Sequence, residues 1–197
     1  MSGDHKSQIT NHELVGWMED IRARLARISR TVTEARGELR RAGVLVPLFV
    51  RETQLWILFT RRTDTVEHHR GQISFPGGAE EPGDESLLAA ALRESEEELG
   101  LARADVRPLG SLSPMVTVTN FYVEPFVAAI PQPYVFRPQE SEIAEVIEAP
   151  VAALLDPAIL EKKELPGRPE PVLFYHYGPH VIWGATARML AELLEIV

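Results

Sequence analysis

Residues 77–101 read GGAEEPGDESLLAAALRESEEELGL: a glycine pair, an acidic loop, and a segment rich in leucine, alanine and glutamate. The pattern predicts a helix from about Ser86 to Leu99, with Gly100 as its C-terminal stop. At about 100° per residue, one face of this helix carries the side chains predicted to be buried: Leu88, Leu92, Ser95 and Leu99. A second face groups three carboxylates within about 100° of arc: Glu94, Glu97 and Glu98.

The three grouped carboxylates are unfavourable for the helix itself. Like charges at these spacings destabilise a helix by about 0.2–0.5 kcal/mol per pair. The last helical turn also disfavours anions, because the helix dipole is negative there. A bound divalent cation would convert this repulsion into ligation, and carboxylate oxygens suit Mg²⁺ or Mn²⁺. For an isolated E-x-x-E-E pattern, a solvated acidic face remains the alternative interpretation.

The wider context of these carboxylates resembles the Nudix box, G-x5-E-x7-R-E-U-x-E-E-x-G-U, in which U is a bulky apolar residue. Residues 93–101, RESEEELGL, match its second half in register. Two departures stand out. Gly78 and Glu85 are separated by six residues instead of five, so either the loop carries an insertion or Asp84 takes the acidic position. Ser95 occupies the first bulky position.

Other segments resemble one branch of that family, the coenzyme A diphosphatases. The matching segments are LFTRR at 58–62, GQISFPGG at 71–78, LSPMVTVT at 112–119 and IWGATA at 182–187. That branch has an arginine four residues before Gly71, where this chain has Glu67. Arg70, His68 and His69 are the candidates to replace it. The resemblance spans residues 42–196 and leaves the N-terminal helix without a matching motif.

The resemblance implies a metal-dependent site that hydrolyses a diphosphate bond. It assigns the metal ligands to Glu94, Glu97, Glu98 and the backbone carbonyl of Gly78, or of Gly77. Arg93 and Glu85 are expected to hold these ligands in position without binding the metal themselves. The candidates for the general base are Glu97, Glu142 and Glu145. The candidates for substrate phosphate binding are Arg61, Arg62, Arg70, His69 and Gln72, although each arginine is individually also compatible with an ordinary surface position.

The remaining chain predicts an α/β protein. Two β-rich runs, Val44–Val50 and Leu55–Thr60, are joined by a short polar link that is typical of a hairpin. Further predicted strands are Val106–Leu112, Val116–Thr119, Phe121–Ile130, Ile143–Glu148 and Val172–Tyr177. Amphipathic helices begin near Thr10 and Ile182, and the first extends towards Gly37. We therefore expect a Nudix-like α/β/α sandwich with a mixed sheet over residues 42–197, preceded by a helical extension over residues 1–41.

Composition excludes several classes of site and partner. The chain has 197 residues and no cysteine, which rules out disulfides, zinc–thiolate sites and cysteine nucleophiles. No apolar run approaches the roughly 20 residues of a membrane helix, so we expect a cytoplasmic protein without membrane contact. The net charge of −9 argues against a general nucleic-acid binder. The apolar stripe of the first helix packs on its own domain or forms a homodimer seam.

The predicted reaction is the hydrolysis of coenzyme A to 3′,5′-ADP and 4′-phosphopantetheine, with Mg²⁺ or Mn²⁺ as cofactor. One alternative is a pyrophosphatase for another nucleotide, such as ADP-ribose, a dinucleotide or capped RNA. The arginine-rich stretch 22–41 motivates the RNA variant of this alternative. Another alternative is a Nudix-like module that binds nucleotides without catalysis, although the intact carboxylates favour an enzyme.

Overall fold

The computed structural model describes residues 11–28, 39–64, 71–167 and 170–197, with side chains from Gly16 onward in the first helix. The α-helices in these ranges are α1 (Asn11–Leu25), α2 (Leu87–Leu99), α3 (Val151–Leu154) and α4 (Gly184–Leu194). The strands are β1 (Arg40–Arg51), β2 (Gln54–Arg62), β3 (Ile73–Ser74), β4 (Gly77–Ala79), β5 (Arg107–Ser111), β6 (Met115–Val116), β7 (Phe121–Ala129), β8 (Ile143–Pro150), β9 (Leu160–Lys163), β10 (Val172–Tyr177) and β11 (His180–Trp183).

The main sheet is mixed and has eight strands within the described residues. Its central order is β3-β2-β1-β7-β5, with β4 paired to β1, β6 to β7 and β8 to β2. β1 and β7 run parallel, whereas β1 and β2 form the predicted antiparallel hairpin, closed where Arg51 pairs with Gln54. A separate antiparallel sheet has the order β11-β10-β9. The predicted mixed α/β/α sandwich is therefore confirmed.

The two faces of β2 pack into different apolar clusters, because successive side chains of a strand point to opposite sides. Leu58 lies in the cluster that contains Leu99 of α2. Phe59 lies in the other cluster, together with Ile182 of β11 and Leu190 of α4. One face of the main sheet is thus covered by α2, and the other by the small sheet and α4.

The N-terminal helix packs on its own domain. Ile21 and Leu25 are buried in the cluster that also contains α4. The guanidinium of Arg24 donates a hydrogen bond to the carbonyl of Ile196 at 2.9 Å. The apolar stripe therefore has its partner within the chain. α1 ends at Leu25, before the predicted end near Gly37, and residues 29–38 lie outside the described ranges.

Several predicted boundaries differ from the structure. The predicted strand Val116–Thr119 is the two-residue β6, Met115–Val116, and the amide of Asn120 closes a turn on the carbonyl of Thr117 at 3.1 Å. β1 begins at Arg40, so the strand starts just before the predicted domain boundary at residue 42. The C-terminal helix was expected to begin near Ile182 but begins at Gly184, whose φ of +67° lies outside the helical region. Ile182 instead pairs with Tyr175 in the small sheet. Within the described ranges, no helix has the combination of length and apolar character that crossing a lipid bilayer requires.

Candidate active site around Glu94 and Glu98

The acidic helix α2 is defined by caps at both ends. The hydroxyl of Ser86 accepts a hydrogen bond from the amide of Ala89 at 3.1 Å, which satisfies one free donor of the first turn. Gly100 adopts the left-handed conformation, with φ of 66°, and its amide donates to the carbonyl of Glu96. The predicted extent of this helix is confirmed.

Of the four residues predicted to be buried in α2, Ser95 and Leu99 are buried, and the rest of the buried face differs from the prediction. Leu87 and Ala91 are buried, whereas Leu88 and Leu92 are only partly covered. Glu98, expected on the acidic face, is also buried. The reason is tertiary: Gly43 of β1 has no side chain, and a Cβ there would lie 1.8 Å from the carbonyl oxygen of Leu87. The helix approaches the sheet on the side of Leu87, which turns Glu98 inward.

Glu98 is an almost completely buried carboxylate, with 6% of its side chain exposed. Its Oε2 accepts a hydrogen bond from the amide of Gly77 at 3.2 Å, and its Oε1 lies 3.7 Å from a guanidinium nitrogen of Arg62. Burial raises the pKa of Glu98 to about 8, with a further contribution from the charge of Glu94, despite the opposing hydrogen bond from Gly77. A buried carboxylate of this kind is stabilised in its charged form by an additional cation.

Glu94 occupies space that exists because residue 78 is glycine. A Cβ at Gly78 would lie 2.4 Å from the carboxyl carbon of Glu94, closer than any real contact. Burial raises the pKa of Glu94, while the adjacent Arg93 opposes that rise. The carboxylates of Glu94 and Glu98 therefore both lie against the Gly77–Gly78 backbone, from opposite ends of one helical turn.

Arg93 connects the helix with the acidic loop before it. Its guanidinium forms two hydrogen bonds with the carboxylate of Asp84, at 3.2 and 3.1 Å, and one with the carbonyl of Ala79 at 3.0 Å. It also donates to Glu94 at 2.9 Å and to Glu97 at 3.2 Å. The hydrogen bond with Asp84 raises the pKa of Arg93 and lowers that of Asp84.

The structure distinguishes between the two acidic candidates of the loop. Asp84 has 5% of its side chain exposed and pairs with Arg93, whereas Glu85 is exposed just before Ser86. Asp84 also follows Gly78 after five intervening residues, which is the spacing of the motif. Asp84 is therefore the loop carboxylate that forms hydrogen bonds with Arg93, while Glu85 has the motif spacing of seven intervening residues to Arg93.

Glu97 does not converge with the other two carboxylates. More than half of its side chain is exposed, and its carboxylate turns towards Arg93, four residues earlier on the same helix. In the parts of the chain that the structure describes, no three histidine, aspartate or glutamate side chains form a set that could hold a metal ion. The expected convergence of three glutamates is thus seen for two of them, Glu94 and Glu98.

A proline-rich loop brings Glu142 to the site. The loop caps the end of α2: Arg137 donates its amide to the carbonyl of Leu99 at 2.7 Å, and Gln139 donates to that of Glu98 at 2.9 Å. These bonds satisfy carbonyls that have no partner inside the helix. The loop then delivers the carboxylate of Glu142 to 3.6 Å from a guanidinium nitrogen of Arg62. Arg62 thus lies between Glu142 and Glu98.

Glu145 lies on the other face of the main sheet. It is the register partner of Arg61, which follows Phe59 on the side of the small sheet. Arg61 donates its Nε to Glu145 at 3.1 Å, and Nε2 of His180 lies 3.4 Å from the other carboxylate oxygen. A register shift between Arg61 and Arg62 accompanies this change of side. The structure therefore separates Glu145 from the Glu94–Glu98 pair.

The predicted phosphate-binding residues are only partly covered by the structure. Arg61 and Arg62 end β2, and the amide of Arg62 donates to the carbonyl of Gln72 at 3.0 Å, so Gln72 lies beside them. Arg70, His68 and His69 lie outside the described residues. Sequence reasoning missed His180, since only the packing of the small sheet against the main sheet brings it to Glu145. The spacing to Gly78 already makes Asp84 a candidate in the sequence for the acidic position of the motif.

Comparison with known proteins agrees with the fold and the motif. The family model described as NUDIX domain matches residues 39–171. The chain belongs to the Nudix hydrolase family, whose members are pyrophosphatases that generally use divalent cations such as Mg²⁺ or Mn²⁺.

Curated relatives cover most of the chain. It is 34% identical over 160 residues to the uncharacterized Nudix hydrolase NudL of Photorhabdus laumondii, covering 80% of this chain and 85% of that protein. It is 38% identical over 159 residues to the uncharacterized Nudix hydrolase NudL of Cronobacter sakazakii, covering 78% and 81%. Among solved structures, a MutT/nudix family protein from Enterococcus faecalis matches with a TM-score of 0.50 and 14% identity, over 96% of this chain and 69% of that one. The last similarity supports the fold alone.

Proposed function

We propose that this protein hydrolyses the diphosphate bond of coenzyme A or a coenzyme A derivative, and releases 3′,5′-ADP and 4′-phosphopantetheine. The observation that carries the proposal is the position of Arg62, which belongs to the LFTRR segment that resembles the coenzyme A branch. Its guanidinium lies 3.7 Å from Glu98 of the Nudix box. The branch-like segment and the carboxylates of the box thus contribute to one site, and an arginine there suits an anionic diphosphate.

We assign the divalent cation, Mg²⁺ or Mn²⁺, to Glu94 and Glu98, together with the backbone carbonyl of Gly78 or Gly77. The donor set fits, because both carboxylates supply hard oxygens and Glu98 is buried with its charge incompletely compensated. Glu97 is a further ligand in this proposal if it leaves Arg93. Such an ion neutralises a diphosphate and polarises its phosphoryl oxygens. Without this neutralisation, the acidic site would repel its substrate.

In this proposal, different side chains bind the substrate, accept the proton of the attacking water and position the metal ligands. Arg62 binds and orients the diphosphate. Water attacks one phosphorus atom as the bridging P–O bond breaks, and the attacking water passes a proton to a carboxylate. We assign that role to Glu142, because it lies 3.6 Å from Arg62 on the side of Glu98. Glu97 is the second candidate. Arg93 is a positioning residue that holds Glu94 through its anchor on Asp84.

Hydrolysis of a nucleotide panel tests this function. With Mg²⁺ or Mn²⁺ present, we expect the kcat/KM for coenzyme A to exceed that for ADP-ribose, dinucleoside polyphosphates and capped RNA, and we expect EDTA to abolish turnover. A preference for ADP-ribose or a dinucleotide by orders of magnitude would refute the substrate and keep the reaction class. Absence of turnover on the whole panel would instead favour a binding module.

The structure gives less support to capped RNA as the substrate, because several arginines of the basic stretch make contacts within the fold. Two arginines of the basic stretch are engaged within the fold: Arg22 donates to the carbonyl of Pro108 and Arg24 to that of Ile196. Arg40 lies over the ring of Phe121, with 4.6 Å between its guanidinium carbon and the ring centroid. These contacts use the arginines for packing, so capped RNA serves as a comparison substrate in the panel.

A further inference from the structure

We infer that Arg61 is the residue that recognises the 3′-phosphate of the substrate ribose, and that Glu145 and His180 hold it in position. The inference rests on the proposed function and names the part of the substrate that each arginine of the pair binds. Arg62 serves the diphosphate, and Arg61 serves the second, separate phosphate group of a 3′-phosphorylated nucleotide.

The first support is the geometry of Arg61 itself. Its Nε donates to Oε2 of Glu145 at 3.1 Å, which fixes the plane of the guanidinium. Among the described residues, no hydrogen bond engages its two terminal nitrogens, and 31% of the side chain is exposed. A guanidinium anchored through Nε retains two parallel donors, which match the oxygens of a phosphate group.

The second support is the position of His180. Its Nε2 lies 3.4 Å from Oε1 of Glu145, so the two oxygens of this carboxylate face two different basic side chains. Only 14% of the His180 side chain is exposed. Both carboxylate oxygens of Glu145 thus have a basic partner, and Glu145 links Arg61 to His180 of β11. His180 is a positioning residue, since it reaches Arg61 only through Glu145.

The third support is the arrangement of Arg61 and Arg62 at the end of β2. As consecutive strand residues they point to opposite sides of the sheet, and both are partly exposed. A substrate whose diphosphate meets Arg62 and Glu98 can therefore present a second phosphate to Arg61 across the end of the strand. A nucleotide with a single anionic group would have no second phosphate to bind Arg61. The pair thus favours a nucleotide with a ribose phosphate in addition to its diphosphate.

The test compares coenzyme A with 3′-dephospho-coenzyme A in the full-length protein. We expect the Arg61→Ala variant to lose about ten- to a hundredfold in kcat/KM for coenzyme A, mainly through KM, and to change little with the dephosphorylated substrate. His180→Asn should show a smaller loss of the same kind. His176→Asn is the matched control, because His176 pairs with Glu161 at 2.9 Å on an exposed part of the same small sheet. It should leave both substrates unaffected.

A binding measurement without turnover complements the kinetics. Calorimetry with adenosine 3′,5′-bisphosphate and with AMP should show that only the bisphosphate loses affinity in Arg61→Ala. Equal losses for both substrates, or an unchanged ratio, would overturn the role of Arg61, and so would a wild-type protein that does not discriminate between them. If the wild type cleaves neither coenzyme but cleaves another nucleotide, the proposed function fails, and the binding data then decide the role of Arg61 separately.

Discussion

Glu98 accepts a hydrogen bond from the amide of Gly77 at 3.2 Å while its carboxylate is almost completely buried. The Glu98 carboxylate has one backbone donor and one guanidinium at 3.7 Å as partners. These two partners stabilise its negative charge less well than water would. The folded, metal-free protein therefore tolerates this charge poorly, which is the behaviour expected of a group retained for binding instead of stability.

The first prediction concerns the Glu98→Gln variant. It should lose at least about a hundredfold in kcat and yet have a higher Tm than the wild type when EDTA is present. The pKa of Glu98 is raised from 4.5 to about 8, so the folded state retains a proton that the unfolded chain has lost. The stability of the wild type therefore falls as pH rises through this window.

Thermal unfolding from about pH 4.5 to about pH 8 checks this sign, since the Tm difference should be small at the lower pH and grow towards the higher one. Glu96→Gln is the control, because Glu96 is an exposed residue of the same helix that pairs with Arg103. It should change neither Tm nor kcat appreciably. An unaltered turnover in Glu98→Gln would refute the role of Glu98 as a metal ligand.

The second prediction separates three glycines near the acidic loop. Gly78→Ala should lower kcat by tenfold or more, because its methyl group takes the space of the Glu94 carboxylate. Gly77→Ala should instead lower the free energy of unfolding by about 1–3 kcal/mol, since its φ is +146° and a Cβ would meet the carbonyl of Gly43. Gly83→Ala, with open space around it, is the neutral control. Similar behaviour of all three variants in denaturation and activity assays would contradict this account.

The third prediction distinguishes Asp84 from Glu85. Asp84→Asn should lower the free energy of unfolding by about 1–3 kcal/mol, because it weakens two charge-assisted hydrogen bonds to Arg93. Kcat should fall as well, since Arg93 also holds Glu94. The pKa of Asp84 is lowered from 3.8, so its contribution is present at neutral pH and is lost on acidification below that value. Glu85→Gln should leave urea denaturation curves and kcat nearly unchanged, and the reverse ranking would show that Glu85 supports the site instead of Asp84.

The fourth prediction compares Glu142 with Glu145. Glu142→Gln should reduce kcat by about a hundredfold or more with a nearly constant KM, as expected for loss of a general base. Glu145→Gln should mainly raise the KM for coenzyme A, because it releases Arg61 on the other face of the sheet. Steady-state kinetics with both variants decides between them. A larger loss of kcat in the Glu145 variant would reverse the assignment.

The fifth prediction concerns the N-terminal helix. Leu25→Ala should lower the free energy of unfolding by about 2–5 kcal/mol, since Leu25 is buried against Gly110 of β5. Leu155→Ala is a suitable control, because Leu155 is half exposed. Denaturant titration at two protein concentrations also tests the alternative dimer seam. A midpoint that rises with protein concentration would show that association contributes to stability.

Local sequence signals were sufficient for the acidic helix and the β1–β2 hairpin. Ser86 and Gly100 limit the helix through contacts with their own neighbours along the chain, so a reading of the sequence could locate both. The long ordered motif likewise located Glu94, Glu98 and Arg93. The family match over residues 39–171 agrees with this reading of the motif.

The positions of the other site residues depend on how distant segments of the chain pack together. Glu142 and Glu145 are three residues apart, and only the tertiary structure shows that Glu142 lies beside Arg62 whereas Glu145 pairs with Arg61. Glu98 became the buried carboxylate, and Glu97 an exposed one, because the helix approaches the sheet over Gly43. His180 meets Glu145 only after two sheets have packed together. Helix ends depend on neighbours in sequence, whereas register, burial and the pairing of charges depend on which strands and helices come together in space.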